Sequence, residues 1–568
     1  MRFQSGRILL LIAVLIAFTL LVAATYSKNA QRKTNADKSA STPTSCANLP
    51  NSLTGSPGIK SVKSQIVPAN GANVAYCQVN ILYGTTAEQN INIRVGLPLN
   101  SADGGSGGVE GAWNGRTEGV GGGGCAGNMT VTGPVNAGYV GSGTDTGHTG
   151  GDCDAGVNPD GTYNLLFIND FIRNAIKQQV VLSKSLAKIY YGVKPAYNYW
   201  NGCSTGGRQG YLLAQELGTE LDGILANAPA IYWTRFETAM MWGQIVMKHL
   251  VGAPISEMKL NQATASAIKA CDAADGVTDG LIDDPRKCTF SAMANVCGAA
   301  TAPAVGCLTV AEAQAIDKIW DGPPNARGEK IWFGPERGTN LSALNGPRPF
   351  QLGGVQLRWD EHNRGFDWAT VTPEEYPLMA EDGSRNIADV TDTFGDLDTF
   401  KNHGGKLLTF VGTSDQLIMP RGVINYYRLM ASRYGKNGEP DFGRLQTFYR
   451  LFRAPGVAHC GGGSGPQPQN LFNVLVNWVE KGVAPNIILS QKTISGGVVV
   501  ATRPLCPYPQ TAIYKGSGDI NDAANYQCGG NLEEPKVVCA DVLATYKREA
   551  KGPLDYKGTG VNRRICSQ

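Results

Sequence analysis

The sequence has little that points to nucleic acid or to a zinc site. Lys and Arg number 50 against 47 Asp and Glu in 568 residues, and the basic residues form no long run. Aromatic residues are not interleaved with lysines, so a nucleic-acid partner is not expected. No Cys-x-x-Cys pair occurs and the 5 histidines are scattered, which argues against bound zinc.

A long uncharged apolar run stands at the N-terminus. Residues 8–24 carry no charge and follow Arg2 and Arg7. A basic start, an apolar run and small residues at its end are typical of an export signal over residues 1–25, so a secreted or periplasmic protein is expected. The run is at the lower limit for spanning a bilayer, so an uncleaved N-terminal anchor is the alternative, and only then is a membrane partner expected. Residues 26–45 indicate a flexible tether.

The 14 cysteines are even in number, and all of them follow the apolar run. Together with an export signal, this count predicts disulfide bonds rather than free thiols. Their connectivity does not follow from the residues alone.

The motif G-x-S-x-G occurs at Gly202, Ser204 and Gly206. Residues 196–200 before it are aromatic and predict a short strand, and residues 208–217 after it place leucines at helical spacing. A glycine-flanked serine between a strand and a helix is the context of a nucleophile elbow. Ser204 is therefore the candidate nucleophile, and an ordinary helix N-cap is the alternative.

Two further residues complete a possible catalytic triad. His459 is followed directly by Cys460, just as Cys203 directly precedes the candidate serine. If the two cysteines are bonded, their Cα atoms lie about 5.5 Å apart and bring the serine and the histidine together. Asp415 follows an apolar run that predicts a strand. The chain order Ser, Asp, His is that of α/β-hydrolases.

These motifs resemble the tannase and feruloyl esterase family, which also includes mono(2-hydroxyethyl) terephthalate hydrolase. The resemblance extends over about residues 46–528 and rests on several motifs in the same order: Cys-Ser at 203–204, Asp415, His-Cys at 459–460, the run Trp113-Asn114-Gly115-Arg116 with glycines 121–124, an aspartate loop at Asp272, and the segment 503–509. It implies an α/β architecture, namely the α/β-hydrolase fold with a large inserted lid domain.

The resemblance also implies five disulfides, which are Cys46–Cys77, Cys203–Cys460, Cys271–Cys288, Cys297–Cys307 and Cys506–Cys528. Of the cysteines that remain, Cys125 is expected to pair with Cys153, and Cys539 with Cys566.

The chain length suits a catalytic domain with an insertion. We expect residues 46–230 to form the first part of the hydrolase domain, 231–404 the lid, 405–530 the second part, and 531–568 a C-terminal extension of unassigned role. Apolar patterns predict antiparallel strands within residues 64–98, a long helix over 164–191, strands over 406–412 and 445–452, and a closing helix over 467–481.

The glycine-rich segment after the early strands suits an oxyanion hole, because a backbone N–H group must approach the substrate oxygen closely there. We expect the amides of Thr205 and of either Gly123 or Gly124 to supply the two donors. A flexible surface loop is the alternative for these glycines.

The lid segment contains closely spaced aspartates, at Asp272, Asp275 and Asp279. Carboxylate and carbonyl oxygens are the ligands that calcium prefers. By the resemblance, these three side chains and the carbonyls of Val277 and Leu281 hold a structural calcium ion, which lies in the lid rather than at the triad. A solvated Asp-Gly turn is the alternative.

These observations predict a serine carboxylic-ester hydrolase that acts on small esters of phenolic or aromatic acids, such as feruloyl or galloyl esters, through an acyl-enzyme. An esterase for aliphatic acyl groups is one alternative. A non-catalytic, calcium-bound secreted binding protein is the other. The preferred acid and the oligomeric state do not follow from the sequence.

Overall fold

The structure is a computed structural model that describes residues 42–532, apart from 152, 325–327, 329, 378 and 380–395. The predicted signal or anchor over 1–25, most of the tether, the C-terminal extension and the Cys539–Cys566 pair lie outside the described residues. In the part that is described, no helix is both long and apolar enough to cross a membrane.

Fourteen strands are described. They are β1 Ile59–Val67, β2 Tyr76–Tyr83, β3 Ile91–Pro98, β4 Arg116–Val120, β5 Val140–Thr144, β6 Tyr197–Cys203, β7 Gly223–Asn227, β8 Lys406–Gly412, β9 Tyr449–Ala454, β10 Gln467–Pro468, β11 Ile488–Thr493, β12 Val499–Leu505, β13 Thr511–Tyr514 and β14 Tyr526–Gly529. The first nine form one sheet in the order β1-β2-β3-β5-β4-β6-β7-β8-β9, while β10 to β12 and the pair β13–β14 form two small sheets.

The large sheet has two halves with different pairing. β1, β2, β3 and β5 pair antiparallel, as predicted for the early strands. From β5 onward every pair is parallel, through β4, β6, β7, β8 and β9. The carboxyl ends of the parallel strands therefore meet at one edge, which is where open α/β sheets place their ligands.

The described α-helices pack around this sheet and form the insertion. They are α1 Leu49–Leu53, α2 Thr132–Asn136, α3 Leu165–Asn169, α4 Ala175–Tyr191, α5 Thr205–Glu216, α6 Trp233–Leu250, α7 Glu257–Cys271, α8 Val310–Asp321, α9 Ser342–Asn345, α10 Gly353–Asp360, α11 Asp398–His403, α12 Pro420–Tyr434, α13 Phe442–Leu445 and α14 Leu471–Lys481. A π-helical turn, Asp170–Asn174, joins α3 to α4, so the predicted helix over 164–191 is present with one irregular turn.

Helices α6 to α10 fall between β7 and β8. They carry a hydrophobic core of their own that is separate from the core beside the sheet; it includes Ile245, Leu260, Ile316 and Leu357, each at most 2% exposed. A second core joins α5, α6 and α12 to the sheet through Trp200, among others. The insertion thus has a helical core of its own and also contributes, through α6, to the core that packs on the sheet.

Two predicted boundaries were wrong. Residue 445 ends a short helix instead of starting a strand, because the Asp441 side chain accepts a hydrogen bond from Arg444 N at 2.9 Å and caps that turn. The strand begins at Tyr449. Residues 467–468 pair with β11 as strand β10, and the closing helix begins only at Leu471.

Six disulfides are present, and they confirm every predicted pair within the described residues. They are Cys46–Cys77, Cys125–Cys153, Cys203–Cys460, Cys271–Cys288, Cys297–Cys307 and Cys506–Cys528. Trp113 of the glycine-loop motif is fully buried and stacks on Tyr191 at 4.1 Å between ring centroids, so it packs rather than faces a ligand.

Candidate active site

Ser204 occupies the sharp turn between β6 and α5. Its backbone has φ 61° and ψ −125°, which L-residues rarely adopt. The turn is held by hydrogen bonds on both sides, since Ser204 N donates to Asn227 O and Ala230 N donates to Ser204 O, each at 3.0 Å. Such strain is typical of a nucleophile elbow, because it lifts the serine hydroxyl clear of the backbone.

The glycines around the serine are required by close backbone approach. A Cβ on Gly202 would lie 2.4 Å from the backbone of Gly206, and a Cβ on Gly206 would lie 2.9 Å from Gly122 O. Gly206 N donates to that same Gly122 oxygen at 2.9 Å. The elbow and the glycine-rich loop therefore touch directly, backbone against backbone.

His459 and Asp415 are hydrogen bonded, with Nδ1 of the imidazole 2.9 Å from Oδ2 of the carboxylate. The carboxylate is 2% exposed, and its other oxygen accepts the amides of Leu417 and Ile418 at 2.9 and 2.8 Å. Two backbone donors and one imidazole fix the orientation of Asp415. Its partner ring is thereby held with Nε2 as the nitrogen free for chemistry.

The disulfide Cys203–Cys460 brings the serine segment to the histidine segment. Its Cα atoms lie 5.9 Å apart across a sequence separation of 257. Because Ser204 and His459 each adjoin one of these cysteines, the bond places both residues at the carboxyl edge of the sheet.

The glycine loop offers few free backbone donors. Gly123 N donates to Ala126 O at 3.1 Å, and Gly122 N donates to Gln209 Oε1 at 2.9 Å. The Thr205 hydroxyl donates to the carbonyl oxygen of Gly124 at 2.6 Å and so anchors that glycine beside the elbow. Of the two predicted glycines, Gly124 is thus the better placed for an oxyanion donor, since the amide of Gly123 is already bonded.

The lid reaches the same loop. A Cβ on Gly124 would lie 3.5 Å from Leu352 Cδ1, directly before α10. Trp359 in that helix donates from Nε1 to Cys153 O at 2.9 Å, and the Cys125–Cys153 bond connects this point back to the glycine loop. The loop is therefore enclosed between the elbow and the lid.

Sequence reasoning missed three side chains that hold the site. Gln209 accepts a hydrogen bond from the Gly122 amide, and Gln416 Oε1 accepts one from the His459 amide at 3.0 Å. Leu352 lies against the glycine loop. Leu352 lies far along the chain from the loop it contacts, and no local pattern marks any of the three.

Glu118 is a buried carboxyl group beneath the elbow. It lies on β4, is 6% exposed, and accepts a hydrogen bond from Asn201 Nδ2 at 3.0 Å. Burial raises the pKa of Glu118 to about 7, and the bond from Asn201 opposes this only in part. The backbone carbonyl of Asn201 accepts a hydrogen bond from the Gly121 amide at 2.9 Å. Asn201 therefore connects the carboxyl group to the start of the glycine loop.

The predicted calcium loop is tightly hydrogen bonded. The two carboxylate oxygens of Asp272 accept the amides of Asp279 and Gly280, each at 3.0 Å. Asp275 accepts the Val277 amide at 2.9 Å, and Asp279 accepts a hydrogen bond from Arg503. In the described part of the chain, no three His, Cys, Asp or Glu side chains are grouped closely enough to hold a metal ion.

The loop nevertheless gathers acidic groups. Desolvation raises the pKa values of Asp275 and Asp279, and it raises that of Asp283 to about 7, with repulsion by Asp275 and Asp279 as the next causes. Arg503 and Arg453 offset this repulsion in part, and a bound cation would offset it further. The all-oxygen donors of the loop fit calcium better than a soft metal.

Comparisons with known proteins show which family this chain is similar to. Residues 109–529 match the family model described as tannase and feruloyl esterase. A probable feruloyl esterase from Arthroderma benhamiae is 35% identical over 481 residues, which cover 80% of this chain and 85% of that one. The mono(2-hydroxyethyl) terephthalate hydrolase of Piscinibacter sakaiensis is 30% identical over 73% of this chain and 79% of its own.

Solved structures show the same fold. Feruloyl esterase B from Aspergillus oryzae has a TM-score of 0.71 at 24% identity, covering 85% of this chain and 100% of its own. Tannin acyl hydrolase from Aspergillus niger has a TM-score of 0.72 at 24% identity, with 87% and 94% covered. The predicted α/β-hydrolase architecture and the predicted resemblance are both confirmed, and the chain belongs to the tannase and feruloyl esterase family of carboxylic ester hydrolases.

Proposed function

We propose that this esterase hydrolyses small esters of phenolic or aromatic acids with Ser204 as the nucleophile. The observation that carries the proposal is the 2.9 Å hydrogen bond between His459 Nδ1 and the buried carboxylate of Asp415, beside a disulfide that ties the histidine to the elbow. A base oriented by a carboxylate next to a strained serine is the arrangement of acyl-transfer enzymes.

Each residue has a separate task in the reaction. His459 Nε2 takes the proton of the Ser204 hydroxyl as that oxygen attacks the ester carbonyl. Asp415 holds the ring tautomer and stabilises the imidazolium that forms. His459 then gives the proton to the leaving alcohol, and the same base activates the water that hydrolyses the acyl-enzyme.

The backbone amides of Thr205 and Gly124 are the proposed donors to the tetrahedral oxyanion. Each donor of this kind contributes about 3 kcal/mol to transition-state stabilisation. The Thr205 hydroxyl supports the geometry, because it binds the Gly124 carbonyl at 2.6 Å and sets the direction of the loop.

The aromatic acyl class is proposed from the relatives. Those compared above are named for feruloyl esters, for tannin acyl groups and for a terephthalate ester, which share an aromatic acid. Leu352 supplies an apolar lid surface against the glycine loop, which suits a flat ring.

The proposal also includes export from the cytoplasm and a bound calcium ion. Six disulfides in the described residues favour an oxidising compartment outside the cytoplasm. A calcium ion would be held by Asp272, Asp275 and Asp279 with the carbonyls of Val277 and Leu281. It would neutralise the crowded carboxylates and stabilise the loop, and it takes no part in the ester chemistry.

The test is a substrate panel with product identification, run on the wild type and on Ser204→Ala. Methyl ferulate, methyl gallate and mono(2-hydroxyethyl) terephthalate represent aromatic acids, and p-nitrophenyl butyrate represents aliphatic ones. We expect at least one aromatic ester to give the highest kcat/KM, and Ser204→Ala to lose at least about a thousandfold. An active Ser204→Ala variant overturns the nucleophile, and a preference for the butyrate overturns the acyl class.

A further inference from the structure

The calcium-type loop touches the segment that carries the catalytic histidine. A Cβ on Gly456 would lie 2.4 Å from Leu281 Cδ2, so a methyl group of the leucine lies against the Gly456 backbone, three residues before His459. Gly456 has φ 66°, and Leu281 is 5% exposed. The glycine is thus needed both for its backbone conformation and for the room it leaves to the leucine.

A second contact joins the same two segments. Arg453, at the end of β9, donates from Nη2 to Asp283 O at 2.9 Å. The loop therefore contacts the end of the strand as well as the segment that follows it. The two contacted residues, Arg453 and Gly456, are three positions apart in the segment that leads to His459.

The Gly456 turn also touches the segment before Asp415. Gly456 N donates to Thr413 Oγ1 at 2.9 Å, and Ser414 N donates to Val457 O at 3.0 Å. A Cβ on Gly412 would lie 2.0 Å from that same Val457 oxygen, so the two backbones have no room to slide. A shift of the turn would therefore be transmitted to both catalytic partners.

We propose that Leu281 is a positioning residue for the catalytic pair: its side chain seats the Gly456 turn and thereby fixes His459 relative to Ser204. The inference rests on the proposed function. The physical reason is that a hydrogen bond between nucleophile and base tolerates little error, and a displacement of about 1 Å lowers a rate by about a hundredfold. The calcium-type loop lies within the lid segment, but the side chain of Leu281 connects it to the active site.

The experiment compares Leu281→Ala with Ile282→Ala. Ile282 is the next residue, is also 5% exposed, and belongs to the small core cluster of the Cys271–Cys288 bond. Both variants lose a similar apolar volume from one loop. Activity is measured at a temperature where both are folded, with calcium in excess and bound calcium quantified, because the Leu281 carbonyl is an expected metal ligand.

We expect Leu281→Ala to lower kcat and the rate of fluorophosphonate labelling of Ser204 by about tenfold to a hundredfold, with KM changed less than about twofold. Ile282→Ala should lower the melting temperature and leave kcat within about twofold. Leu281→Met should restore most of the activity, because it refills the volume. Equal kcat values for the two alanine variants overturn the inference.

A double substitution tests the contact itself. Gly456→Ala should be impaired for two reasons: its methyl group meets the leucine, and alanine disfavours φ 66°. Leu281→Ala relieves only the first of these, so the combined Leu281→Ala and Gly456→Ala variant should lose less than the product of the two single losses. Multiplicative losses also overturn the inference. An active Ser204→Ala variant would instead refute the proposed function, so the two failures are distinct.

Discussion

Cys203 and Cys460 are bonded with their Cα atoms 5.9 Å apart, although 257 residues separate them in the chain. Each lies directly beside a proposed catalytic residue. The disulfide therefore constrains the distance between the proposed nucleophile and the proposed base as well as the fold, a role that the disulfides remote from the elbow do not share.

Removing this bond should affect turnover more than its effect on stability explains. We expect Cys203→Ala with Cys460→Ala to lower kcat by about a hundredfold at a temperature where the variant is folded. The control is Cys297→Ala with Cys307→Ala, which removes a lid disulfide of sequence separation 10. Melting curves choose the temperature, and equal losses of kcat in the two variants would contradict the catalytic role of the bond.

The hydroxyl of Thr205 should matter for the oxyanion loop. Thr205 is 1% exposed and donates to Gly124 O at 2.6 Å. Thr205→Val keeps the shape but leaves that carbonyl unpaired, and an unpaired buried group costs about 1–3 kcal/mol. We expect kcat to fall at least about tenfold with little change in KM, while Thr205→Ser stays near the wild type. Similar kinetics for both variants would remove Gly124 from the proposed hole.

Glu118 predicts a pH-dependent stability. Its pKa is about 7 in the folded chain against an ordinary 4.5, so folding disfavours its ionised form. The wild type should lose stability relative to Glu118→Gln as the pH rises from 4.5 through 7, by up to about 3 kcal/mol. Below about pH 4 the difference should no longer change with pH, since both side chains are then neutral in the folded and in the unfolded chain.

Denaturant unfolding at pH 4, 6 and 8 measures this difference. Glu439→Gln, at an exposed position, is the control and should show no such trend. A Glu118→Gln variant that is no more stable than the wild type at pH 8 would show that the carboxyl group is neutralised by a partner.

Calcium removal should lower stability. A ligand that binds only the folded state at a hundred times its Kd contributes about 2.7 kcal/mol. We expect a chelator to lower the Tm of the wild type, and Asp272→Asn with Asp275→Asn to abolish both the bound calcium and the response. A wild type without bound calcium, or a Tm indifferent to the chelator, would contradict the metal site.

Much of the site was predictable because its signals are local. The elbow requires glycines within two residues of Ser204, and a requirement of this kind can be recognised from neighbouring positions in the sequence. The disulfide partners, Asp415 and His459 were identified through motifs that resemble a known family. The early antiparallel strands were found from their period-two pattern, while the turn capped by Asp441 displaced the start of β9 because a side-chain cap overrode the apolar pattern.

What the sequence by itself determined was therefore the fold class. It also supplied the candidate nucleophile and its order relative to the candidate aspartate and histidine. Only the tertiary structure decided which glycine amide is already bonded, that Leu352 lies on the glycine loop, and that Leu281 touches Gly456. The physical reason is range: a turn is governed by the backbone of a few neighbours, whereas a packing contact depends on how remote segments come together. Gly456 and Leu281 are separated in the chain by most of the lid, and no sequence pattern in either segment predicts that they are in contact.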